Sequence, residues 1–61
     1  MKLQEFRKSK NLSQEEFARS IGFTLSMVAK VESGRAKASR NFIERVKAVY
    51  PDLKIEEVFF S

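Results

Sequence analysis

Ser13, Ser39 and the carboxylate pairs Glu15-Glu16 and Glu56-Glu57 are the groups that acyl transfer or proton transfer would draw on, and their placement suits neither. Each serine sits just before a run of helix formers, where its hydroxyl is better used as a cap. Adjacent residues of a helix point in different directions, so neither carboxylate pair can converge on one bond. The 61 residues include no histidine and no cysteine. Imidazole bases, thiolate nucleophiles, disulfides and thiolate zinc sites are thereby removed, and only carboxylates remain as metal ligands. The two glycines, Gly22 and Gly34, match no phosphate-binding loop. An enzyme is not expected, nor a metal or cofactor.

The sequence does carry positive charge. Twelve basic residues oppose eight acidic ones, for a net +4, and the balance is uneven. Residues 1–23 hold five basic and three acidic residues, residues 24–50 six and two, and residues 51–61 one and three. A basic centre followed by an acidic, apolar tail points to a middle that faces a polyanion and a tail with another task. The alternative is a surface charged for solubility alone.

The elements that must position these charges are short. A chain of this length makes one domain, 1–61, and buries only about 60% of the surface it exposes when unfolded. Without disulfides, the fold relies on capped helices, self-association or both. The opening Met1-Lys2-Leu3-Gln4-Glu5 has no apolar run suited to a signal peptide, and no eighteen apolar residues follow one another. A cytoplasmic protein that does not enter the membrane is expected.

Helix formers over residues 2–10, with Leu3 and Phe6 three apart, predict a first helix ended by Asn11. Ser13 and Glu16 have capping-box spacing and Leu12 and Phe17 staple spacing, so a second helix begins after Ser13, turns Phe17, Ala18 and Ile21 inward and closes at Gly22. Thr24, with Phe23 and Val28 as a second staple, opens a third helix that faces Val28 and Val31 inward and ends at Ser33-Gly34. Ser39 caps a fourth with Phe42, Ile43, Val46 and Val49 at helical spacing, stopped by Pro51, with Tyr50 at its end. Leu53, Ile55, Val58, Phe59 and Phe60 fit one or two last helical turns, or an extended end. The expected fold is all-α, a compact bundle of four to five short helices.

Two short helices joined by a tight glycine turn, the second flanked by basic residues, make a helix-turn-helix. Leu12-Ser13-Gln14-Glu15-Glu16-Phe17-Ala18, Ile21-Gly22-Phe23-Thr24, Val28, Val31-Glu32 and Gly34 resemble the lambda-repressor-like family, also called XRE or Cro-type regulators. The resemblance runs from Phe6 to about Phe60 and implies binding of double-stranded DNA. Helix three would be the recognition helix. Its outward positions Leu25, Ser26, Ala29 and Lys30 would meet base edges in the major groove, Lys30 at guanine O6 or N7 and Leu25 and Ala29 at thymine methyl groups. Related regulators often present glutamine, arginine or asparagine there; this chain has one long hydrogen-bonding side chain on that face.

Gln14, Ser33, Arg35, Lys37 and Arg40 are the candidate phosphate contacts. Gln14 stands at a helix N-terminus, where free N–H groups and the dipole favour an anion. Ser33, Lys8 and Lys10 are weaker candidates, and the bland reading of 35–40 is a solvated basic loop. The family commonly pairs a basic residue of helix one with an acidic residue late in the recognition helix; Arg7 and Glu32 fill those places and would fix the angle of helix three.

The reading that results is a sequence-specific transcriptional regulator, of phage or prophage Cro or repressor type, acting by operator occlusion in the cytoplasm near the nucleoid. One short helix reads few base pairs, so a homodimer on a pseudo-palindromic operator is expected, with Val58, Phe59 and Phe60 completing the core or forming the seam. No small-molecule effector is expected, because so small a core leaves no cavity of ligand size. The rival reading keeps the fold as a protein-interaction module, of antitoxin or anti-repressor type, using Leu25, Met27 and Ala29 and the apolar tail.

Overall fold

Three times along this chain a helix is closed by a left-handed residue and the next is opened by a hydroxyl side chain. The computed structural model describes residues 2–60, so the end residues Met1 and Ser61 of the expected 1–61 domain lie outside the described residues. Its helices are α1 (Lys2–Ser9), α2 (Gln14–Ile21), α3 (Leu25–Ser33), α4 (Arg40–Val49) and α5 (Ile55–Phe59). No strand occurs among the described residues.

Asn11, at φ 59°, ends α1; the Leu12 N–H donates to the Arg7 carbonyl and the Asn11 N–H to that of Lys8. The same pair of bonds closes α2 at Gly22 and α3 at Gly34, both with positive φ. Each stop satisfies carbonyls that a helix end would otherwise leave bare. The next helix starts on a cap. Ser13 Oγ accepts from the Glu16 N–H while Glu16 reaches back to the Ser13 N–H. Thr24 and Ser39 accept from the N–H groups of Met27 and Phe42.

So punctuated, the helices turn their apolar stripes onto one core. Leu3, Phe17, Ala18, Ile21, Val28, Val31, Phe42, Val46 and Leu53 are buried, with Phe6, Leu12, Phe23, Ala38, Tyr50, Ile55, Val58 and Phe59 packed against them. Val49, expected on the inward stripe of α4, is instead 39% exposed. The reason lies one residue on. Tyr50 takes the inward place at that end, stacking on Phe17 at 5.5 Å, meeting Phe6 edge-on at 5.7 Å and sharing a hydrogen bond with Ser20.

Lys47 then donates to the carbonyls of Pro51 and Leu53, holding the turn after α4 so that Leu53 enters the core. The tail is helical, and α5 packs on α1. Phe59 meets Phe42 edge-on at 6.3 Å, whereas Phe60 is left 71% exposed. Lys10, a weaker phosphate candidate, donates to the Asp52 carboxylate and lies over the Phe6 ring.

Candidate nucleic-acid interface

The orientation of α3 is set at both ends. At its start, three residues separate it from α2, with Gly22 in the left-handed region at φ 75° and Thr24 capping the new helix. Near its end Glu32 points into the protein, its side chain only 4% exposed. Arg7 Nε donates to Glu32 Oε2 at 2.7 Å, and a second guanidinium nitrogen donates to Oε1 at 3.2 Å. The third donates to the Leu12 carbonyl at 2.7 Å, and Gln14 Nε2 donates to Glu32 Oε1 at 2.9 Å. The Glu32 carboxylate therefore ties α3 to α1 and to the first residue of α2, and Arg7 in turn ties α1 to the segment ahead of α2. No buried side-chain nitrogen or oxygen among the described residues lacks a partner.

With Val28, Val31 and Glu32 buried, the opposite side of α3 faces water. Ser26 and Lys30, one turn apart, are exposed along it. Leu25 at the first turn is 45% exposed, and Ala29 is half-buried at its edge. Met27, on the other edge, is 38% exposed. Of the four residues named from helical spacing as base-facing, Ser26 and Lys30 lie on the accessible side and Leu25 and Ala29 along one edge of it.

The phosphate candidates fall into two groups. Arg35, Lys37 and Arg40 are exposed between α3 and the first turn of α4. Arg40 is paired with Glu44 at 3.1 Å, an exposed contact one turn along the helix that costs little to exchange. Gln14 and Ser33 are more committed. One hydrogen of the Gln14 amide is spent on Glu32, and the Ser33 hydroxyl donates to the Lys30 carbonyl at 3.1 Å.

The dipole argument for α2 is weaker than the sequence alone suggested, because Glu15 and Glu16 occupy its first turn. The first turns of α3 and α4 carry no acidic residue, so their positive ends remain uncompensated. The sequence reading passed over α4 in this respect; the missing acid after Ser39 was the available signal. Arg45 was also passed over. Its guanidinium lies 3.8 Å from where a side chain on Gly22 would begin, beside the turn between α2 and α3.

An open groove of about 360 Å³ runs between the end of α3, the following connection, α4 and the tail, its apolar wall including Val31, Ala38, Ile43, Phe59 and Phe60. The groove is formed on the surface, open to water, and not within the core. No helix among the described residues is long and apolar enough to cross a membrane.

The family model described as helix-turn-helix matches residues 3–58. The chain belongs to this lambda-repressor-like family of DNA-binding transcription regulators. No curated protein and no solved structure matches it.

Proposed function

We propose that this helix-turn-helix protein is a sequence-specific transcriptional regulator that lays α3 in the major groove of double-stranded DNA. The observation that carries the reading is the buried Arg7–Glu32–Gln14 cluster, which holds α3 against α1 and α2 and leaves Ser26 and Lys30 facing outward. Leu25, Ser26, Ala29 and Lys30 contact base edges. Arg35, Lys37 and Arg40, with Gln14 and Ser33, contact phosphates. Regulation is repression by occluding polymerase at the operator, as in a phage or prophage Cro-type protein, in the cytoplasm of the host.

The protein acts as a homodimer with half-sites one helical turn, about 34 Å, apart. Phe60 supports this: an exposed aromatic ring beside an apolar groove is self-complementary, because each copy can set its ring against the other's groove. The test is titration of a labelled duplex at rising salt. Binding weakens with a log–log slope of about −0.9 for each phosphate neutralised. A duplex that is not retained even at low salt contradicts the reading.

A second reading is favoured by Leu25 and Met27, which expose apolar area on the two edges of the outward side of α3. On that reading the face binds a protein, as in an antitoxin or anti-repressor, and duplex binding is absent.

A further inference from the structure

We propose that Phe59 is a positioning residue for the DNA-facing surface and that α5 is the strap which carries it. The inference rests on the DNA-binding reading and gives the tail, which makes no DNA contact in that reading, a part in holding the interface. Phe42 is the link. Its ring, 1% exposed, meets Phe59 of the tail edge-on at 6.3 Å and Phe23 at 5.0 Å. Phe23 belongs to the turn that leads into α3. The Phe42 N–H donates to Ser39 Oγ at 3.1 Å, at the end of the connection that leads out of α3. One residue beneath the tail therefore touches the segments before and after the helix proposed to enter the major groove.

The strap is lightly held. None of the five residues of α5 is buried, and no side chain caps its start. The fixed point lies just ahead of it, where Leu53 is 1% exposed and its carbonyl accepts from Lys47. An element with few buried contacts opens more readily than the core it covers, so α5 lifts from Lys54 onward while Leu53 stays in place. Lifting uncovers Phe42 and takes away the Phe59 and Phe60 wall of the surface groove, across which Ala36 and Ala38 of the connection are half-buried. Arg35 and Lys37, the exposed residues that alternate with those alanines, then lose their fixed placement. Closure of the strap keeps the phosphate contacts in register with α3.

Amide exchange followed by NMR tests this on the wild type. The N–H groups of Val58 and Phe60, bonded to the carbonyls of Lys54 and Glu56, report the strap. They should exchange at least about tenfold faster than those of α2. A saturating duplex too short to seat two copies should slow them about tenfold although the tail does not touch DNA, because it depletes a lifted form that binds more weakly. Phe59→Ala should weaken binding to that duplex about tenfold with base preference unchanged, and Phe59→Leu, which keeps most of the apolar volume, should recover most of the loss. Strap exchange that the duplex leaves unchanged overturns the assignment, as does a folded Phe59→Ala that binds like the wild type. Either result leaves DNA binding standing. Retention of no duplex at about 50 mM salt removes the DNA-binding reading instead. The strap is then judged on the free protein, where Phe59→Ala should speed exchange of the Arg35 and Ala36 N–H groups, both bonded to the Lys30 carbonyl, relative to α2; no change there overturns it.

Discussion

Arg7 and Glu32 meet across 25 residues of sequence at 2.7 Å, with side chains 8% and 4% exposed. A buried pair of this kind need not add net stability, yet losing one partner strands a charge. Arg7→Met leaves Glu32 buried with Gln14 as its remaining side-chain donor. We expect a loss of about 3 to 5 kcal/mol in chemical denaturation. Because the pair also sets the angle of α3, DNA affinity should fall at temperatures where the variant is still folded. Unchanged Tm together with unchanged affinity would show that the pair fixes nothing.

The turn glycines act through the backbone. A side chain at Gly34 meets nothing within 4 Å, yet φ there is 83°. Gly34→Ala should therefore cost about 1 to 2 kcal/mol from the left-handed conformation alone. Gly22→Ala, at φ 75° with only Arg45 nearby at 3.8 Å, should cost a similar amount. Urea denaturation of the two variants measures both. A neutral Gly34→Ala would mean that the end of α3 is not held in this turn.

Two carboxylates give stability a definite dependence on acid. Hydrogen bonds from the Ser13 backbone and side chain hold Glu16 below its ordinary 4.5, and the hydrogen bond from Lys10 holds Asp52 below its ordinary 3.8. Both folded-state values are depressed, so their contribution is present above the ordinary values and is lost as pH falls through the folded ones. Tm should be level near neutrality and decline below about pH 4.5. Glu16→Gln should flatten part of that decline. NMR titrations of Glu16 and Asp52 at ordinary carboxylate values would contradict the account.

Arg35, Lys37 and Arg40 are predicted to act on affinity without acting on sequence choice. Each alanine substitution should lower the magnitude of the salt slope by about 0.9 and weaken binding to all duplexes alike. Lys30→Ala should instead change which base is preferred at one position. A substitution in the basic connection that altered base preference and left the slope intact would reverse these roles.

Phe60→Ser should shift any dimer towards monomer in sedimentation without lowering Tm, because the ring is 71% exposed and contributes little to the core. A wild type that is monomeric at every concentration, free and on DNA, would remove the proposed dimer.

What could be read from the sequence followed local chemistry. Ser13, Thr24 and Ser39 declare helix starts, and Gly22 and Gly34 declare stops, because a cap or a left-handed stop depends on residues only a few positions away. Arg7 and Glu32 were legible only through family resemblance, since no local rule links positions in different helices. Val49 and Tyr50 illustrate the opposite case. Both fit the end of α4, and which one turns inward depends on Phe6 and Phe17, which belong to other helices. The commitment of Gln14 to Glu32 and the groove beside Phe60 are likewise products of packing, invisible to spacing within any one element.

Selection of bound sequences from a randomised duplex pool, at low and moderate salt, tests the central claim most directly. The account predicts enrichment of an inverted repeat with half-sites about ten base pairs apart, lost when Lys30 and Leu25 are both replaced by alanine. A pool that emerges unenriched, with little duplex retained even at low salt, would contradict it and assign the exposed side of α3 to a protein partner.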